Sequence, residues 1–197
     1  MIKLPPHQQE TSRSCGVACL RSILDFHGIK VSEKEILDHN VFPDNMCVLI
    51  GLGRAALEFG LKAEYVGVNP MVFRNDKNVS LETLKERVNK QFELGKVLVE
   101  QTILFLQKGG TVTLKIPTLQ GIKDIIKSGT PQLISVRPAL LGRLIAFDMR
   151  HYVVPVYYDD ENIYYMDPAV ASVQKNSNTT FMAAVYSLMP ETIIIKK

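Results

Sequence analysis

The stretch Gln9-Glu10-Thr11-Ser12-Arg13-Ser14-Cys15-Gly16-Val17-Ala18-Cys19-Leu20 reads as an extended segment running straight into a helix, with Cys15 at the entry. From Cys15 onward Leu20, Ile23, Leu24 and the stem of His27 recur at helical spacing, and Gly28 stands where a left-handed helix stop belongs. A thiol at that point has unusual surroundings, because the unpaired N–H groups and partial positive charge of a helix start favour a thiolate. Cys15 is therefore a candidate nucleophile. Gly16 and Ala18 carry almost no side chain, which would leave room for a substrate carbonyl at the sulfur. Gln9, six residues earlier, could turn its amide N–H to the same point, so that Gln9 and the Cys15 backbone would form an oxyanion hole. A cysteine is also a small hydrophobe that packs well in a core; the nucleophile reading needs a base.

Of the four histidines, His7 lies in a Pro-flanked loop and His27 and His39 lie near helix ends. His151 differs: it opens the most apolar strand, His151-Tyr152-Val153-Val154, and Asp167 closes the next one in Met166-Asp167-Pro168. With Asp159 to Asn162 as the hairpin turn, Asp167 falls some three positions from direct register with His151, and both sit at the open end. A thiol at a helix start, an imidazole and a carboxylate to orient it are the parts needed for acyl transfer through a thioester.

Working outward, Ser32-Glu33-Lys34-Glu35 is a capping-box pattern that starts a short helix. Val48 to Phe59 is a third helix, stopped by Gly60, and Leu61 to Val68 alternates as a first strand. Asn69 to Asn78 is polar and turn-rich. Ser80 then caps a long amphipathic helix carrying Leu81, Leu84, Val88, Phe92 and Leu94. Val97 to Leu106 fits a second helix or a buried strand, and helix is the expectation. Gly109-Gly110 breaks the chain, Thr111 to Ile116 alternates as a strand, and Leu119 to Lys127 is a helix ending at Ser128-Gly129. From Pro131 the pattern turns to sheet: Gln132 to Arg137, His151 to Tyr158 and Ile163 to Met166 as consecutive antiparallel strands. Pro155 implies an edge position or a bulge. Asn178-Thr179-Thr180 precedes a short helix from Phe181 to Leu188, and Thr192 to Ile195 is a terminal strand. Helices first and sheet last is an α+β arrangement.

A chain of 197 residues, 46% of them hydrophobic, is expected to form one domain over residues 1–197 with a core that needs no staples. Within it, the stretch at about 69–117 reads as an insertion beside the cleft. A net charge of +3 with scattered cations argues against nucleic acid. The N-terminus has no signal-peptide pattern, and no apolar run is long enough to span a bilayer, so a cytoplasmic protein without membrane insertion is expected. Three cysteines, Cys15, Cys19 and Cys47, show no framework spacing, which fits a reducing compartment. Cys15 and Cys19 lack a second ligand pair, which disfavours a metal or redox site, and no cofactor is expected. Composition leaves the oligomeric state open.

Gln9, the run Cys15-Gly16-x-Ala18-Cys19-Leu20, His151-Tyr152-Val153-Val154 and Asp167-Pro168 together resemble the bacteriocin-processing cysteine peptidases, papain-like enzymes that cut leader peptides after a double glycine. The resemblance implies a papain-like fold, with N-terminal helices carrying the nucleophile packed on a C-terminal antiparallel sheet. It also implies Cys15 as nucleophile, His151 as general base, Asp167 as orienting carboxylate and Gln9 as oxyanion glutamine, with a peptide or protein substrate that could include a Gly-containing leader. Ser14 stands where the family usually has Asp, Val17 stands where Pro is common, and residues 69–130 are longer than the minimal domain requires. With no transporter segments following, the exporter role is not expected to carry over. The leading expectation is a thiol hydrolase of peptide or amide bonds. The alternatives are an amidase, deamidase or acyltransferase on the same triad, or a catalytically silent peptide-binding domain.

Overall fold

The computed structural model describes residues 1–39, 47–74, 76, 78–90, 92–142 and 150–197. Among these, the helices are α1 (Cys15–Phe26), α2 (Glu33–Asp38), α3 (Leu49–Glu58), α4 (Leu81–Val88), α5 (Glu93–Gln107), α6 (Leu119–Lys127) and α7 (Asn178–Tyr186). The strands are β1 (Lys62–Gly67), β2 (Thr111–Thr113), β3 (Gln132–Val136), β4 (His151–Tyr158), β5 (Asn162–Asp167), β6 (Ser172–Ser177) and β7 (Glu191–Lys196). Asn75 and Lys77, inside the turn-rich stretch, lie outside the described residues. No described helix is long and apolar enough to cross a membrane.

The strands form one sheet in the order β2-β1-β7-β3-β4-β5-β6. The arrangement is α+β as expected, with antiparallel pairing from β3 through β6. The sheet is nevertheless not confined to the C-terminal half. β7 inserts between β1 and β3, antiparallel to both, and so joins the early strands to the late ones. β1 and β2 pair in parallel, which requires the intervening helical crossover of α4 and α5.

Hydroxyl caps explain where several helices begin. Ser32 and Glu35 form the full capping box of α2, Ser80 accepts from the Thr83 N–H and Thr118 accepts from the Gly121 N–H. Three boundaries differ from the sequence expectation. The amphipathic run after Ser80 is two helices: spacing puts Phe92 on the face of Leu84 and Val88, but a turn at Asn89-Lys90 sends Phe92 into solvent at 93% exposure. The strand expected over Thr111 to Ile116 is only three residues long. α7 begins at Asn178 rather than Phe181, because Ser177, the first of several possible caps, takes the Thr180 N–H at 3.1 Å. Strand β6 has no counterpart in the sequence reading. It is a polar, mostly exposed edge strand, so no apolar alternation marks it.

Two apolar clusters lie on the sheet. The larger gathers α1, α3 and α5 with Tyr152, Val154 and Val156 of β4; the smaller gathers α6 and α7 with Val153. Leu98, Val99 and Phe105 of α5, together with Val72 and Phe73, are buried in the larger cluster.

Candidate active site

Cys15 is the first residue of α1 and is 7% exposed. Gly16 was expected to open space for a substrate. In the folded chain it serves packing instead, since a Cβ there would stand 2.6 Å from Leu52 Cδ1 and 2.9 Å from Tyr152 Cδ2. Its missing side chain lets α1 press against α3 and β4, and that contact fixes the height of the thiol above the sheet. Ala18 is likewise fully buried and packs in the core.

His151 opens β4, and its Nε2 lies 2.9 Å from Asp167 Oδ1. With Nε2 donating to the carboxylate, Nδ1 is the ring nitrogen left for the hydrogen bond to the Cys15 thiol. A β-bulge makes the His151–Asp167 pair possible. The turn at Asp159–Asn162 sets Tyr158 opposite Ile163, a register that would carry Asp167 opposite Val154, three positions from His151 and on the other face. The irregularity between Pro155 and Tyr157 shifts the pairing to Val154 opposite Met166. One residue further, Asp167 comes opposite Val153, two positions from His151 and on the same face. Pro155 therefore marks a bulge in a central strand, not an edge.

Burial depresses the His151 pKa, but hydrogen bonds to Asp167 and Cys15 and the charges of both outweigh it and push His151 up to about 9. Asp167 is fully buried, and its Oδ1 also accepts the Ala169 N–H at 2.9 Å. The following carbonyl, Pro168 O, accepts the Gln9 N–H at 2.9 Å, so the corner carrying the carboxylate is tied to the segment before the thiol. Gln9 lines the same cleft as Cys15 and His151. Its Nε2 donates to Thr11 O at 2.7 Å, which leaves the second amide N–H for another acceptor. Cys19, one turn after Cys15, is buried at 2% exposure and donates to Tyr152 O. Burial, followed by the charges of Cys15, Asp167 and Glu33, pushes its thiol well up.

The cleft holds about 520 Å³. One wall is apolar, built by Val72, Phe73, Leu94 and Leu98 from the stretch between β1 and β2. The same cleft carries a polar group, next to Phe73 of that wall, that the sequence did not point to. Glu191, which opens β7, accepts from the Tyr65 hydroxyl at 2.7 Å and pairs with Arg150, the residue before His151. Burial and the Glu191 charge push the Tyr65 hydroxyl far up, so it stays protonated. A charged residue opening the run Glu191-Thr192-Ile193-Ile194-Ile195 was the available sequence signal, but a strand end ordinarily faces water.

This geometry sits in a chain with known likenesses. Residues 3–93 match the model of the Peptidase C39 family. The match bears out the resemblance read from Gln9 and Cys15, and the chain is cysteine-peptidase-like. Three solved structures share the fold over nearly the whole chain. The peptidase domain of Streptococcus ComA, a bifunctional ABC transporter of a quorum-sensing pathway, is 13% identical with a TM-score of 0.56, covering 98% of each chain. A protein described as a C39-like peptidase of Bacillus anthracis is 16% identical with a TM-score of 0.60, covering 100% of this chain and 96% of that one. A double glycine motif protease from an AMS/PCAT transporter, solved with its leader peptide, is 17% identical with a TM-score of 0.54, covering 99% and 92%. No curated protein matches the chain.

Proposed function

We propose that this protein is a cysteine peptidase that cleaves a peptide or other amide bond through a thioester on Cys15. The observation that carries the reading is the relay in one cleft: the Cys15 thiol at a helix start, the His151 ring bonded to it, and the buried Asp167 carboxylate 2.9 Å behind that ring.

The Cys15 thiolate attacks the substrate carbonyl carbon, and the oxyanion is held by the Cys15 backbone N–H and the free amide N–H of Gln9. The imidazolium of His151 gives the proton on Nδ1 to the leaving amine as the C–N bond breaks, leaving an acyl-Cys15 thioester. Water then attacks the thioester carbonyl, His151 takes its proton, and the acid leaves with the thiol restored. Asp167 holds the ring in register and stabilises the imidazolium without accepting the proton.

A peptide substrate, with a Gly-containing leader as the first candidate, is supported by the leader peptide bound to the double glycine motif protease of the same fold. The stretch at about 69–117 acts in this reading as the cleft wall of a single peptidase domain, either as a lid or as a docking surface. The cysteines are thiols, which fits the reducing cytoplasm. The test is incubation with p-nitrophenyl acetate. A burst of p-nitrophenol stoichiometric with enzyme, with the acetyl group mapped by mass spectrometry to Cys15, is expected. Absence of a burst, or acetyl on another residue, would overturn the assignment.

A further inference from the structure

Glu33 occupies the first position of α2, where an acidic side chain ordinarily points to water and favours the helix dipole. Here it is 2% exposed. Its Oε1 accepts the Glu10 backbone N–H at 3.1 Å, and its carboxylate also hydrogen bonds to the Ser14 side chain. Burial pushes its carboxyl pKa up, and these two hydrogen bonds oppose that. A carboxylate withdrawn from water this far is costly unless donors replace the water. Both donors come from residues 10–14, the segment between Gln9 and Cys15.

Ser14 is the residue most changed by this contact. Ser32, Ser80, Thr118 and Ser177 each begin a helix with an extended ψ and cap it by accepting a first-turn N–H. Ser14 has φ −97° and ψ 17° and makes no cap hydrogen bond to α1. Its oxygen accepts the Thr11 N–H at 3.0 Å, and its single proton reaches either Thr11 O, at 3.2 Å, or Glu33. The best natural cap is thus turned away from the helix it precedes, and the first-turn N–H groups of α1 are not taken by their own N-cap side chain.

We propose that Glu33 is a positioning residue: through the Glu10 N–H and the Ser14 hydroxyl it holds the Gln9–Ser14 turn, whose Thr11 carbonyl takes one Gln9 amide N–H, so that the other Gln9 N–H and the Cys15 N–H stay aimed at the substrate oxyanion. This rests on Cys15 being the acylated thiol. Glu33 touches neither the thiol's acceptor nor the leaving group; it acts through Ser14 and the Gln9 loop.

Two reagents separate this role from general support of the fold. Acylation by p-nitrophenyl acetate passes through a tetrahedral oxyanion and uses those N–H groups, whereas alkylation by iodoacetamide is a displacement at carbon that does not. Glu33→Ala is expected to lower the ratio of the Cys15 acylation rate to its alkylation rate by about tenfold, against the larger losses seen when an oxyanion donor is deleted outright. Glu33→Gln keeps an acceptor for the Glu10 N–H and is expected to hold the ratio within about threefold of the unchanged protein. Ser14→Ala removes the diverted hydroxyl's contact and is expected to lower the same ratio by about threefold; it decides alone if Glu33→Ala does not fold. An unchanged ratio, or acylation and alkylation slowing in parallel, overturns the positioning role while leaving Cys15 as nucleophile. Failure of the unchanged protein to acylate Cys15 at all overturns both readings.

Discussion

The two faces of the sheet are built on different terms. The face under α6 and α7 is dry: Ile122, Ile126, Ile134, Val153, Phe181 and Val185 pack with almost no exposure. The face under α1, α3 and α5 has a larger apolar cluster, yet that side of the molecule also buries Glu33 and Glu191, and His151 and Asp167 are buried at the ends of β4 and β5 where α1 begins. Each of these charged or titratable groups has a partner on another segment, which offsets a desolvation cost larger than that of the amide and hydroxyl of Gln132 and Thr192 buried toward α6. The contrast teaches that stability and chemistry are separable here: the α6–α7 cluster anchors strands β3 to β5 along their length, and the strand ends beside the start of α1 exploit that rigidity to hold a relay.

The sharpest break in that comparison is Cys15→Ala, which should remove turnover by on the order of 10³-fold or more while leaving the thermal midpoint nearly unchanged. Ester or peptide hydrolysis against a melting curve measures both. Asp167→Asn should cost about 10²-fold in acylation with the fold intact, since the amide oxygen still accepts the Ala169 N–H. His151→Ala should be more severe, and the double variant little worse than His151→Ala alone, because the two act as a unit. Additive losses would reduce Asp167 to a turn carboxylate.

The dry face predicts the reverse pattern. Phe181 is fully buried, and Phe181→Ala should cost about 3–5 kcal/mol in urea unfolding while the turnover number well below the midpoint changes little. A large loss of turnover in the folded variant would show that the two faces are coupled after all.

A smaller effect concerns pH. The folded His151 is pushed up to about 9 from an ordinary value near 6.5, so the folded state binds its proton more tightly than the unfolded chain. That contribution is fully present below about pH 6.5 and is lost as pH rises through about 9. Urea midpoints should therefore fall across this window, and His151→Ala should fall less. The smallest effect belongs to Cys19. Its buried, raised thiol should alkylate far more slowly than Cys15 at pH 6, and Cys19→Ala should cost about 1 kcal/mol with turnover retained.

The sequence by itself determined whatever depends on local chemistry. The helix starting at Cys15, the capping box at Ser32, the stop at Gly60, the helix Leu119–Lys127 and the hairpin at Asp159–Asn162 follow from caps, spacing and turn residues within one or two turns of chain. The candidate residues Gln9, Cys15, His151 and Asp167 were legible because each has a side chain whose chemistry narrows its uses. Tertiary structure decided the rest. Only the folded sheet shows β7 closing the gap between β1 and β3, because strand neighbours are chosen by packing across distant parts of the chain. Only the bulge at Pro155 and Tyr157 brings Asp167 to the face of His151. Gly16 looked like access for a substrate and proved to be a contact for Leu52 and Tyr152. Glu33 and Glu191 carry charges that sequence position assigns to solvent. Their burial depends on which segments fold over them, and that is a property of the whole chain, set by where its apolar faces meet.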